Sequence, residues 1–122
     1  MTKTTTGKVS YHSVQAAELQ VARHYERDGW RVLQHRFKSA AGEIDLALRR
    51  NDTVLFVEVK RARAHDIAAS RSSLQQIARI NQSAGIFVAE HLSGQNFEMR
   101  LDAALVDQKG EIQIIPNALA GF

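Results

Sequence analysis

The sequence contains the run Gly42-Glu43-Ile44-Asp45-Leu46-Ala47-Leu48-Arg49-Arg50 and then, across Asn51-Asp52, the run Thr53-Val54-Leu55-Phe56-Val57-Glu58-Val59-Lys60. Both runs show the apolar alternation of β-strands, and the dipeptide between them is typical of a hairpin turn. A two-residue turn fixes the register and gives the pairs Arg50 with Thr53, Leu48 with Leu55, Leu46 with Val57, Asp45 with Glu58 and Glu43 with Lys60. The sequence therefore predicts an antiparallel hairpin with two carboxylates opposed near its open end.

The opposed pair of Asp45 and Glu58 indicates a metal site. Residues opposite each other in a sheet have Cβ atoms about 4.5 to 5.5 Å apart, and two like charges there are destabilising unless a cation lies between them. Mg²⁺ prefers oxygen ligands and usually keeps several waters, so two carboxylates and a substrate phosphate suit it. Lys60 lies two residues after Glu58 and hence on the same face. There it would orient an attacking water or stabilise charge on a phosphate.

These residues also have structural interpretations that involve no metal or catalysis. A Glu-x-Lys pattern on a strand also occurs as a solvated face or an ion pair. Glu43 is an alternative partner for Lys60, which would give the lysine a structural role. The residues that follow, Arg61, Arg63 and His65, would contact phosphates beside the cut or would form a solvated loop.

The composition is that of a single domain. The chain has 122 residues, of which 44% are hydrophobic, and a formal net charge of +3. This charge is compatible with a nucleic-acid partner but does not by itself indicate one. The sequence has no cysteine, which excludes disulfides, zinc-thiolate sites and a cysteine nucleophile. We expect no membrane-spanning run, and a cytoplasmic location is the default expectation.

The remaining elements are predicted from periodicity and from capping residues. Residues 1–10 are expected to form a flexible tail and residues 11–122 a single domain. A first helix is predicted from Ser13 to about Asp28, a strand over 30–37, and a second helix over 72–84 that ends at Gly85. A short buried strand is predicted over 86–89, followed by a closing hairpin of 97–106 and 111–115. The expected fold class is α/β, with the order α-β-β-β-α-β followed by closing strands.

At the level of motifs, the chain resembles the YraN-like family of small bacterial proteins, in the Holliday-junction-resolvase-like branch of the PD-(D/E)XK nuclease superfamily. The resemblance is carried by six segments: Ala17-Glu18, Gly29-Trp30-Arg31-Val32-Leu33, Gly42-Glu43-Ile44-Asp45-Leu46, Val57-Glu58-Val59-Lys60, Arg100-Leu101-Asp102 and Ile112-Gln113-Ile114. It implies a restriction-endonuclease-like mixed sheet flanked by helices. It also implies a metal held by Asp45 and Glu58, with Lys60 beside it and Glu18 reaching in from the first helix. The chain departs from the family pattern at Gln76, where lysine is usual, at Lys38, where arginine is common, and at Arg36, where asparagine is common.

The function predicted from these observations is metal-dependent hydrolysis of phosphodiester bonds, in DNA rather than RNA, with Mg²⁺ or Mn²⁺. Asp45, Glu58 and the carbonyl of Val59 would hold the metal. Lys60 would orient the water, with Glu18 and Gln76 as auxiliary groups. Four basic residues are candidates for nucleic-acid contacts: Arg61, Arg63, Lys38 and Arg36. Symmetric incision of branched DNA would need a homodimer. The alternatives are a non-catalytic nucleic-acid-binding module of the same fold and a structural protein with a metal-stabilised hairpin.

Overall fold

The computed structural model describes residues 6–61, 74–92 and 96–117. In chain order it contains α1 (Thr6–Arg27), β1 (Arg31–Ser39), β2 (Gly42–Arg50), β3 (Thr53–Arg61), α2 (Leu74–His91), β4 (Glu98–Val106) and β5 (Ile112–Ile115). Within these residues, neither helix is long and apolar enough to cross a membrane.

The five strands form one mixed sheet in the order β1-β2-β3-β4-β5. Neighbouring strands are antiparallel except for β3 and β4, which are parallel. A parallel pair needs a long crossover connection, and α2 lies within the segment that links β3 to β4. The predicted α/β class, a mixed sheet flanked by helices, is thereby confirmed.

Each face of the sheet packs against one helix. On one face, Ala17, Val21 and Tyr25 of α1 pack in a cluster with the odd-numbered residues Leu55 and Val57 of β3. On the other, a second cluster joins residues of α2 to the even-numbered residues of β3; its members include Ile80, Ala84, Phe87, Val54 and Phe56. Successive side chains of a strand point to opposite faces, and this alternation buries β3 on both sides.

The register predicted for β2 and β3 is confirmed over most of the hairpin and then fails at its open end. Arg50 pairs with Thr53, and the ladder continues to Leu46 and Val57. It ends there in the described residues, so the expected pairs of Asp45 with Glu58 and Glu43 with Lys60 are corrected. Continued pairing would set two carboxylates directly opposite each other, which is unfavourable.

Beyond this point the two strands follow different neighbours. On β2, Glu43 remains paired with Lys38 of β1. On β3, Glu58 and Lys60 remain paired with Ala103 and Leu105 of β4. We call this separation of β2 from β3, at residues 42–45 and 58–60, the fork.

The predicted strand over 86–89 is also wrong, because these residues belong to α2. Ile80, Ala84 and Phe87 are buried at helical spacing, so the apolar run continues one helical face. Gly85 is exposed and does not end the helix. Its cost there is about 1 kcal/mol of helix propensity, which the buried face of α2 outweighs.

The first helix is longer than predicted. It begins at Thr6, seven residues before the expected cap at Ser13, so residues 6–10 of the expected tail are helical. No proline between Thr6 and Ser13 interrupts the helix. Residues 1–5 of that tail lie outside the described residues. The closing hairpin matches the prediction, since β4 and β5 pair antiparallel.

Candidate active site at the fork

Asp45 lies where β2 and β3 separate. Its Oδ2 accepts a hydrogen bond of 2.7 Å from the backbone N–H of Val59, so a side chain of β2 contacts the backbone of β3 beyond the end of the ladder. The N–H and C=O of a residue in an extended strand point to the same neighbour. The carbonyl of Val59 is therefore directed toward the side of the strand on which Asp45 lies.

Glu58 is held by groups from two elements. Its Oε1 accepts a hydrogen bond of 2.9 Å from Nε2 of Gln76 on α2, and it lies 4.0 Å from Nζ of Lys60. The predicted placement of Lys60 on the same face as Glu58 is confirmed by this distance. Glu43, the alternative partner for Lys60, lies 3.9 Å from Nζ of Lys38.

Asp45 and Glu58 line one cavity of about 300 Å³ between the fork and α2. Gln76, Arg79 and Ile80 form the wall that α2 contributes, and Glu43 is a third carboxylate of the lining. The predicted residues Asp45, Glu58 and Gln76 are thus brought together, with Lys60 adjacent.

Glu18 approaches the same acids from α1. It is 8% exposed, and its Oε1 accepts a hydrogen bond of 3.0 Å from Nε of Arg36. Arg36 has a positive φ of 51°, an unusual value for a residue with a side chain, and it lies within β1. The predicted nucleic-acid contact Arg36 is therefore engaged with an acid, beside a second surface pocket lined by Gln15, Glu18, Leu19, His35 and Arg36.

The pKa of Asp45 is raised by burial and in part by the neighbouring negative charges. Burial, followed by the charges of Glu18, Glu58 and Glu43, raises the pKa of its carboxyl from the ordinary 3.8 to about 6. The hydrogen bond from Val59 acts in the opposite direction. A bound cation would offset the unfavourable charge of such an acid, so a raised carboxyl pKa is typical of a cation-binding site.

The donor set fits a hard divalent cation. Two carboxylates and a backbone carbonyl are oxygen ligands of the kind that Mg²⁺ and Mn²⁺ take, with water or phosphate in the remaining positions. Among the described residues, no three acidic or histidine side chains are grouped closely enough to hold a metal by themselves. The site therefore resembles an open Mg²⁺ site more than a closed protein cage.

The other predicted contacts lie at or beyond the edge of this site. Lys38 is exposed beside Glu43, and Arg61 is exposed at the end of β3. Arg63 and His65 lie outside the described residues. Arg79 was not predicted. The signal for it was helical spacing, because it follows Gln76 by three residues and so shares its face of α2.

Comparison with known proteins identifies the family. Residues 17–106 match the model of the "Uncharacterised protein family UPF0102", a span that contains every residue of the fork. The chain belongs to UPF0102, the YraN family.

Relatives in this family are similar over most of their length. A UPF0102 protein of Cereibacter sphaeroides strain KD131 is 46% identical over 114 residues, which is 93% of this chain and 97% of the relative. A UPF0102 protein of Ruegeria pomeroyi is 43% identical over 104 residues, 85% of each chain. One from Roseobacter denitrificans is 42% identical over 114 residues, 93% of this chain and 88% of the relative. Membership of UPF0102 does not by itself specify a reaction.

Proposed function

We propose that this protein is a metal-dependent endonuclease that hydrolyses phosphodiester bonds in DNA, with branched DNA as a substrate class. The observation that carries the proposal is the fork itself, where Asp45 and Glu58 line one cavity and Lys60 lies 4.0 Å from Glu58. Carboxylates that hold a cation, with an ammonium beside them, are the parts that phosphodiester hydrolysis needs. The resemblance to PD-(D/E)XK nucleases supports the same chemistry.

In this proposal, Asp45, Glu58 and the carbonyl of Val59 hold Mg²⁺ or Mn²⁺. When bound, such a cation supplies Lewis-acid chemistry that polarises a phosphoryl oxygen and makes water a better nucleophile. Gln76 fixes the carboxylate of Glu58 through its hydrogen bond of 2.9 Å. This contact restricts the rotation of the Glu58 carboxylate, which lines the cavity.

Lys60 acts on the reacting atoms. Its ammonium donates hydrogen bonds to the attacking water or to a nonbridging oxygen of the phosphate, where negative charge increases. The water oxygen then bonds to phosphorus and releases a proton to solvent, the bond from phosphorus to a sugar oxygen breaks, and that oxygen takes a proton from solvent. Glu18 is an auxiliary group, since its charge acts on Asp45 while its carboxylate is paired with Arg36.

Incubation of the purified protein with labelled linear, flapped and four-way DNA tests the proposal. We expect strand cleavage in Mg²⁺ or Mn²⁺ and none in EDTA, and we expect Glu58→Gln to abolish it. Asp52→Asn is the matched control, because Asp52 is an exposed acid at the opposite end of the hairpin. Binding of DNA without metal-dependent cleavage would reject the nuclease and favour the non-catalytic binding module. Cleavage that survives Glu58→Gln would point to a contaminating nuclease.

A further inference from the structure

Arg79 is the basic residue that α2 contributes to the cavity of the fork. The cavity also contains three carboxylates, those of Glu43, Asp45 and Glu58. Even so, none of the hydrogen bonds or ion pairs among the described residues involves Arg79, and its side chain is exposed. An arginine in such a position can bind a ligand without first giving up a protein partner.

Three arginines of the sheet, by contrast, are paired with acids. Arg36 pairs with Glu18 at 3.0 Å and Arg50 pairs with Asp28 at 3.2 Å. Arg100 binds Asp102 through two nitrogens, at 3.1 and 3.0 Å. These residues would lose an ion pair on binding a phosphate, whereas Arg79 would not.

The base of Arg79 is fixed close to the fork. Gly42 begins β2 with a φ of 151°, and a Cβ added there would lie 3.6 Å from Cβ of Arg79 and 3.7 Å from Oγ of Ser83. The hydroxyls of Ser39 and Ser83 are 2.8 Å apart, which ties the turn between β1 and β2 to α2. The first residues of β2 and the Arg79 turn of α2 therefore lie close together, with no room between them for more than a small side chain at residue 42.

The spacing along α2 separates Arg79 from the reacting centre by one helical turn. Gln76, which binds Glu58, and Arg79 are three residues apart, so their Cβ atoms are about 5 to 6 Å apart on one face. This separation is comparable to the step between successive phosphates of one strand. A guanidinium also binds phosphate through two parallel N–H donors.

We propose that Arg79 binds the backbone phosphate next to the scissile one and so sets which bond of the strand is placed at Asp45 and Glu58. The inference rests on the proposed function for the identity of the scissile phosphate. The binding of a DNA backbone by Arg79 does not depend on turnover and can be measured separately.

The test is the salt dependence of DNA binding. A fluorescein-labelled four-way DNA junction is titrated in EDTA at several salt concentrations with wild type, Arg79→Ala, Arg79→Lys and the control Arg31→Ala. Arg31 is exposed on β1, where it pairs with Arg49 at the end of the sheet away from the fork. Loss of one phosphate contact should weaken binding roughly tenfold and make the slope of log K against log salt less negative by about 0.9 for Arg79→Ala.

The lysine variant separates charge from geometry. Arg79→Lys keeps the charge, so we expect the wild-type slope with part of the affinity lost. Arg31→Ala should behave as wild type. Parallel cleavage of the same junction in Mn²⁺ should show a shifted position of the cut for Arg79→Ala.

The outcomes distinguish this inference from the proposed function. Wild-type affinity and slope in Arg79→Ala would overturn the inference, while metal-dependent cleavage by the same samples would leave the nuclease standing. Loss of binding in Arg79→Ala with no cleavage by the wild type would support the DNA contact and overturn the nuclease. Weaker folding of Arg79→Ala, measured by urea denaturation, with an unchanged slope would assign the arginine a structural role and reject the inference.

Discussion

Replacing Asp45 with asparagine should stabilise the metal-free protein at neutral pH. The pKa of Asp45 is raised from 3.8 to about 6 by burial and by neighbouring acids, so ionising this carboxyl disfavours the folded state. Each pKa unit corresponds to about 1.4 kcal/mol, so this rise corresponds to about 3 kcal/mol. Because the site is partly open to water, which screens the repulsion, we expect a gain of about 1 to 3 kcal/mol for Asp45→Asn at pH 8.

The gain in stability from Asp45→Asn should increase as the pH rises. Between pH 3.8 and about 6 the folded protein holds the proton of Asp45 while the unfolded chain has released it, so the contribution of this group to stability falls as pH rises. Well below pH 3.8 the carboxyl is protonated in both states. The difference between wild type and Asp45→Asn should therefore be large at pH 8 and close at pH 4. The amide oxygen of asparagine can still accept the N–H of Val59, so this hydrogen bond is retained.

Urea denaturation in EDTA at pH 4, 6 and 8 measures the effect, with Asp52→Asn as a control of the same chemistry at an exposed turn. Addition of Mg²⁺ at pH 8 should stabilise the wild type, by about 2.7 kcal/mol at a hundred times the dissociation constant, and leave Asp45→Asn unchanged. A variant that is less stable than wild type at every pH would refute the reasoning. A gain that is the same at pH 4 and pH 8 would do so as well.

Three further outcomes are expected. The double variant Asp45→Asn with Glu58→Gln should lose Mg²⁺ and Mn²⁺ uptake in calorimetry while keeping its circular dichroism spectrum, and unchanged uptake would reject the metal assignment. Lys60→Ala should lower the cleavage rate by orders of magnitude with little change in DNA affinity, and a parallel loss of rate and affinity would make Lys60 a phosphate contact instead. Arg61→Ala should weaken DNA binding and reduce the salt dependence of that binding. Light scattering of the junction-bound protein should show a homodimer, for which the edge strand β5 (Ile112–Ile115) is the candidate interface, and a monomer that cuts both strands in one encounter would contradict this.

Local pattern was sufficient for most of the sheet. The two-residue turn at Asn51-Asp52 and the alternation along β3 predict the register from Arg50 back to Leu46, as observed. Continuing the same register by one residue pairs Asp45 with Glu58, which is the pair predicted to bind the metal. In the structure the ladder ends before the two carboxylates would be opposed, and the side chain of Asp45 accepts the N–H of Val59 instead.

Other features depended on contacts that no local pattern reports. The run of 86–89 is apolar and contains the β-branched Ile86 and Val88, which favour a strand, whereas in the structure Phe87 packs beside Phe37 and Phe56 from α2. Arg79 lines the cavity of the fork because α2 packs beside Gly42 of β2, and these segments are far apart in the sequence. A short apolar run such as 86–89 fits a strand and a helix equally well when only the sequence is considered.

Each helix is fixed to the sheet by its own polar contact, and on α1 this contact keeps Glu18 near the acids of the fork. On α1, Glu18 precedes Tyr25 by seven residues, or about two turns, so both face the sheet. The hydroxyl of Tyr25 donates to the fully buried Asp102 of β4 at 2.9 Å, in surroundings that raise the pKa of Tyr25 well above its ordinary value, chiefly through burial.

On the opposite face, α2 is fixed by the hydroxyls of Ser39 and Ser83, which lie 2.8 Å apart, with Ser83 fully buried. Neither contact touches the carboxylates of the fork. Because α1 is held to β4 and α2 to the turn between β1 and β2, the like charges of Glu18, Asp45 and Glu58 cannot relax by moving a helix away. The repulsion therefore persists in the folded protein at neutral pH, where Asp45 is ionised, and a bound cation would relieve it.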